Sequence, residues 1–372
     1  MNKTFHANNI HYNACVGYNG NYDIETYALG YAQSAHILLK SAINGDTSID
    51  TIIYPILYSS RHYIELTLKY QLSLLGIINQ IVDSNFNFQI RQIHSISELW
   101  NRFKDMASVD SRYNYYINKA EEYIDDFAEI DDNGETFRYP YSKDNNKHLT
   151  QLYCIDIMDF GVRFEELNNI LEEIVWLTNS LLEEYSQRSI VSNKSRSEIE
   201  EIANKLPPVN DWHNNSFKKL KEKLKYEYSL SSNQLSRIIS FIKSHREFSS
   251  LIGKEIKIDE LDVKDLAWFI KTYDEFLENK SDCEDYKEFL HKTIRKIYRK
   301  LSKIKVASIA QLYDMGYFRL YSEEYDRGLK EKMKEDKVIL IRVYLLGNII
   351  VKDKIKLGLE SMGQKTLLQL FE

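Results

Sequence analysis

One stretch concentrates residue types that could hold an anionic group and move a proton: Tyr58-Ser59-Ser60-Arg61-His62-Tyr63-Ile64-Glu65-Leu66-Thr67-Leu68-Lys69. Arg61, Glu65 and Lys69 stand four residues apart and share a face if the segment is helical. His62 adjoins Arg61 and falls on the side of Leu66 and Lys69. An imidazole titrates near neutrality and serves as general acid or base. Guanidinium and ammonium groups stabilise negative charge. Two further candidates lie downstream. His94 heads His94-Ser95-Ile96-Ser97-Glu98-Leu99-Trp100, and Arg138 sits among aromatics in Phe137-Arg138-Tyr139-Pro140-Tyr141. A structural reading stands beside the chemical one. In it, Arg61, Glu65 and Lys69 form a charge ladder that holds helix packing, His62 is a satisfied interior histidine, and Arg138 stacks on its neighbours.

Positioning these groups requires a long helix. Ile53, Ile56, Leu57, Ile64, Leu68, Leu72 and Leu75 recur at three- and four-residue spacing, which predicts a helix over 48–79 with its leucine face buried. Asp46 and Ser48 are candidate N-caps, and Pro55 predicts a kink or a start just before it. A helix over 23–43 precedes it, with Gly30 read as a point of close packing, and Asn44-Gly45-Asp46 makes the turn. Downstream helices are expected over 95–106, opened by the capping-box spacing of Ser95 and Glu98, over 110–130, and over 160–186 with Asp159 as cap. The second of these carries Glu121, Glu122, Asp125, Asp126 and Glu129 on an acidic outer face that reads as solvated, and Asp125, Asp126, Asp131 and Asp132 read as a charge run without the spacing of metal ligands. Residues 131–147 form a loop with a turn at Asn133-Gly134, and 1–22 read as an arm without regular structure.

Polar residues 187–197 mark a boundary, giving domains over 1–190 and 191–372. The second half predicts helices at 195–205, 215–228, 231–246, 263–279, 285–304, 306–315, 322–336, 338–346 and 349–360. Gly253, Gly316 and Gly347 look like helix stops. A hairpin over 338–351 is the alternative there. Only four prolines and 13 glycines in 372 residues mean few turns and long elements, so the expected fold class is all-α: a helical bundle followed by a second helical domain.

Three cysteines without CxxC spacing fit a reducing compartment and argue against a structural metal. The N-terminus lacks a signal-peptide apolar run, and the longest apolar run, 338–351, is broken by Arg342 and Asn348. It is too short to span a bilayer, so a cytoplasmic protein without membrane contact is expected. No HExxH, phosphate-loop, dinucleotide or GxSxG motif occurs, which disfavours those enzyme classes and predicts neither metal nor cofactor.

The net charge of −6 is unevenly spread: 1–190 is acidic and the remainder basic. Lys292, Arg295, Lys296, Arg299, Lys300 and Lys303 are expected along one amphipathic helix, opposite Leu290, Ile294, Ile297 and Leu301. Lys218, Lys219, Lys221, Lys223 and Lys225 make a second basic stretch. Basic helices track phosphate backbones without reading sequence, so Arg295 and Arg299 are substrate-binding candidates. A solvated face beside Glu284, Asp285 and Glu288 is the alternative.

The Arg61-His62-x-x-Glu65-Leu66-x-Leu68-Lys69 helix, followed by His94 heading a Leu99-Trp100 helix, resembles the HEPN superfamily of helical proteins. The Phe137-Arg138-Tyr139-Pro140 loop is similar to loops in such proteins. The resemblance covers about residues 24–186. It implies a bundle of four or five antiparallel helices that often dimerises, and RNA cleavage without a metal in toxin–antitoxin or phage-defence systems. Catalytic members carry an Arg followed by a His with four to six residues between them, and no such pair occurs here: Arg61 and His62 are adjacent, and Arg91 and His94 have two residues between them. A site would therefore be assembled from separate helices. Metal-free RNA cleavage needs a base for the ribose 2′-hydroxyl, an acid for the leaving oxygen and cations for the phosphorane charge. His62, Arg61 and His94 are the catalytic candidates. Glu65, Lys69, Arg138 and Tyr139 are candidates for substrate binding, with Tyr139 offering a stacking face. RNA, a second copy of the chain and a partner protein are the expected partners. A non-catalytic helical scaffold that binds a partner protein or nucleic acid through the same face is the rival reading.

Overall fold

A computed structural model describes residues 4–7, 11–20, 23–89, 92–280 and 285–371. The protein is all-α, and no strand forms among the described residues. The chain divides into two compact units, Met1–Ser186 and Gln187–Glu372.

The first unit contains α1 (Ile24–Ile43), α2 (Ile49–Val82), α3 (Ile96–Ala107), α4 (Tyr113–Asp131) and α5 (Ile157–Ser186). α2 is its organising element and packs against α1, α3 and α5. Its periodic face, including Ile56, Ile64, Leu68, Leu72, Leu75 and Ile78, is buried, as the apolar spacing predicts. The helix runs through Pro55 instead of starting beside it. The cap of α5 is Asp156, not Asp159: its Oδ1 accepts from the Met158 and Asp159 N–H groups, and the helix begins earlier than expected. A Cβ at Gly30 would meet no neighbour within 4 Å, so this glycine serves no close approach.

The second unit contains α6 (Arg196–Lys205), α7 (Asn215–Glu227), α8 (Ser232–Ser244), α9 (Arg246–Leu251), α10 (Val263–Asn279), α11 (Tyr286–Lys300), α12 (Lys303–Phe318), α13 (Glu324–Lys332), α14 (Lys337–Ile339), α15 (Val351–Ser361) and α16 (Lys365–Leu368). A π-helical segment, Leu340–Leu345, continues α14 where one longer helix was expected. The helix expected over 231–246 breaks at His245, whose extended backbone ends α8 while its Nδ1 accepts from Phe248 N–H to cap α9. The helix expected over 285–304 breaks at Leu301, and Ser302 caps α12, so Lys303 belongs to α12. Gly316 is no stop. It lies inside α12, where a Cβ would meet the Lys354 carbonyl oxygen of α15 at 1.9 Å. A Cβ at Gly358 of α15 would meet the Leu312 carbonyl oxygen at 2.1 Å, so the two glycines let these helices cross backbone to backbone. Cys15 and Cys154 are exposed thiols, and Cys283 lies outside the described residues.

Among the described residues, no helix is long and apolar enough to cross a membrane.

Candidate active site

The centre of the site is the Glu65 carboxylate, on the inner face of α2 and only 2 % exposed. Four side chains reach it. Lys69 donates from Nζ to Oε1 at 2.6 Å, and Nδ1 of His94 stands 2.9 Å from the same oxygen. Arg61 donates from Nη1 to Oε2, and Nδ1 of His62 lies 3.6 Å from Oε2. Burial alone would raise the Glu65 pKa. The adjacent His62 ring, the hydrogen bonds from Lys69 and Arg61 and the Arg61 charge outweigh it and hold the carboxyl well below the usual range. Glu65 is thus an ionised, acceptor-only group, so the His94 nitrogen facing it carries the proton.

Arg61 is buried, and its remaining donors go to backbone carbonyls. Nε donates to Asp131 at 3.1 Å, and Nη2 donates to Asp132 at 2.7 Å and to His94. Gly134, at φ +77°, lies against the guanidinium, where a Cβ would meet Nη1 at 3.0 Å. Arg61 therefore cannot touch a substrate. Arg61, a catalytic candidate from sequence, is thus enclosed and ties α2 to the start of α3 and the end of α4. Asp131, read from sequence only as part of a charge run, is an interior residue. It is 2 % exposed, and its carboxylate accepts from the Glu135 and Thr136 N–H groups at 2.9 and 3.0 Å, folding the turn that carries Arg138. Asp132 Oδ1 accepts from Ser97 N–H at 2.9 Å, fixing the first turn of α3 below His94.

No family model, curated protein or solved structure matches this chain.

The outer part of the site is aromatic. The His62 ring meets Tyr31 edge-on at 4.4 Å between centroids and stacks parallel to Tyr58 at 5.6 Å. Arg138 lies over Tyr58 at 5.7 Å and over Tyr139 at 5.1 Å, and it donates to the Tyr139 hydroxyl at 3.1 Å. Tyr58 is held above its ordinary pKa by burial first and by Tyr31 next, against the lowering charge of Arg138. Arg61, His62, Glu65, Lys69, His94, Arg138 and Tyr139 thus form one connected network. Exposure sorts them: the His94 side chain is 62 % exposed, His62 23 % and Lys69 13 %, against 1 % for Arg61. Tyr58 and Tyr31 are members that sequence reasoning missed. Tyr58 stands four residues before His62, and that helical spacing was the available signal.

Arg295 and Arg299 lie on the exposed face of α11 in the second unit. Lys296 beside them donates to Glu275 at 2.8 Å and is not free. Among the described residues, no three His, Cys, Asp or Glu side chains group as metal ligands.

Proposed function

We propose that the first unit is a HEPN-like bundle and that the protein is a metal-independent ribonuclease of a defence or toxin system. The observation that carries this reading is that two imidazoles, of His62 and His94, present Nδ1 to one buried, ionised carboxylate. The hydrogen-bonded acceptor on Nδ1 fixes the tautomer of His94 and leaves its Nε2 as the atom that takes or gives a proton, and His62, with Nδ1 turned toward the same carboxylate at 3.6 Å, offers its Nε2 in the same way. One Nε2 removes the proton of a ribose 2′-hydroxyl. The 2′-oxygen forms a bond to phosphorus, the bond from phosphorus to the 5′-oxygen breaks, and the other imidazole protonates that oxygen. The products are a 2′,3′-cyclic phosphate and a free 5′-hydroxyl. Lys69 and Arg138 oppose the charge on the phosphorane, and Tyr139, half-exposed, offers a ring to a base. A second unit with Arg295 and Arg299 on an open helix face supplies sequence-independent contact with the phosphate backbone.

The rival reading is a non-catalytic binding protein. Its supporting observation is that Arg61 and Glu65 are sealed and act as a clamp between α2, α3 and α4. One experiment separates the two readings: purified protein incubated in EDTA with an RNA, and with the same RNA carrying a single 2′-deoxy nucleotide at the cleaved position. Cleavage of the first and not of the second supports the ribonuclease. An intact RNA that is nonetheless bound supports the binding protein.

A further inference from the structure

The face of α2 opposite Glu65 borders a second cleft. Residues 63, 67 and 70 project roughly half a turn from 61, 65 and 69 at 3.6 residues per turn. They meet α1 and α5 around a cavity of about 250 Å³. Three aromatic residues line it: Tyr63 and Tyr70 from α2 and Trp176 from α5. Two carboxylates join them, Glu25 from the first turn of α1 and Glu172 from α5, and no lysine, arginine or histidine lines the cavity. Burial first, and the Glu25 side chain next, hold the Tyr70 hydroxyl above its ordinary pKa, so that ring borders the same carboxylate. Glu172 Oε1 accepts from Asn168 Nδ2 at 3.0 Å, which orients its carboxylate. Trp176 is 71 % exposed although it is the largest apolar side chain on that face of α5.

These features select a ligand class. Two carboxylates with no lining cation exclude an anion. Only two carboxylates line the cavity, and among the described residues no third His, Cys, Asp or Glu joins them as a metal-ligand group, while the ring faces of Tyr63, Tyr70 and Trp176 cannot hydrogen-bond the N–H groups of a primary ammonium. Aromatic faces attract a cation through the ring quadrupole, most effectively one that is weakly hydrated and apolar in shape. We propose that the cleft between α1, α2 and α5 binds an alkylated ammonium group, held against Trp176 and Tyr70 with Glu25 and Glu172 as counter-charges. The site is independent of the RNA chemistry at Glu65 and stands whether or not that reading holds.

The test is titration of the full chain with choline, with 3,3-dimethylbutan-1-ol, and with a short peptide carrying trimethyllysine. Trp176 indole fluorescence and calorimetry follow binding. Choline binds, and the uncharged alcohol of the same shape binds at least about tenfold more weakly, because only the charge differs. Trp176→Ala weakens choline by about tenfold without lowering the melting temperature, since the side chain is largely exposed. Glu25→Gln weakens it as well, and with the ring system intact this variant separates the counter-charge from the cage. Peptide and choline of equal affinity assign the cleft to the head group alone, and a tighter peptide assigns its source to a modified partner chain. If neither cation saturates the protein at millimolar concentration, or if the alcohol binds as well as choline, the proposal fails.

Discussion

Nδ1 of His94 stands 2.9 Å from Oε1 of Glu65, so a largely exposed imidazole is anchored by a carboxylate that water scarcely reaches. The orientation of the ring is thus set by the interior of the bundle while its other nitrogen remains at the surface. That division between anchor and reactive atom orders the predictions for the site.

Arg61→Ala should destabilise the first unit by about 3–5 kcal/mol, because it leaves the ionised Glu65 and three backbone carbonyls without their buried partner. Arg61→Lys should recover only part, since an ammonium cannot reproduce the forked geometry. Urea denaturation measures both. A loss below about 1 kcal/mol for Arg61→Ala would show that the clamp is not structural.

The pH dependence of stability follows from Glu65. Its pKa in the folded protein is depressed below the ordinary 4.5. Its contribution is therefore fully present above that value and is lost as pH falls below it toward the folded pKa. Glu65→Gln should be less stable than wild type at neutral pH, and the difference should shrink progressively below about pH 4.5. Melting curves at a series of pH values decide it. A difference that stays constant down to strongly acid pH contradicts the assignment.

Gly316→Ala should destabilise the second unit by about 1–3 kcal/mol or more, because the new methyl overlaps the α15 backbone and cannot be relieved by rotating a side chain. Gly30→Ala, at an open position inside α1, should stabilise by about 0.5–1 kcal/mol through helix propensity. Equal effects from the two substitutions would contradict the close crossing of α12 and α15.

If α11 contacts the RNA backbone, reversing Arg295 and Arg299 to Glu should weaken binding to all RNA sequences alike and reduce the salt dependence of the affinity. Filter binding across a salt series tests it. An unchanged affinity in the double variant removes α11 from the interface.

The long helices and the shared face of Arg61, Glu65 and Lys69 were legible because both depend on spacing within one helix. The approach of His94 was suggested only by the resemblance, since nothing local links residues 29 positions apart. The role of Asp131 and Asp132 was hidden for a different reason. Arg61 binds their carbonyls, which every residue type possesses, so the carboxylates read as a charge run. Short breaks escaped as well: His245 and Leu301 leave the helical region within sequences whose apolar period continues across them. Gly316 has the residue type of a helix stop, and only the path of α15 shows that it is a contact.

The most direct test of the central claim is the rate of RNA cleavage in EDTA by wild type and by His94→Ala, measured alongside their stability. The account predicts cleavage by the wild type that leaves 2′,3′-cyclic phosphate ends. It predicts a loss of about 10²–10⁴-fold in His94→Ala, with a change in stability within about 1 kcal/mol because the imidazole is largely exposed. A wild-type protein that leaves RNA intact, or a His94→Ala variant that cleaves at the wild-type rate, would contradict it.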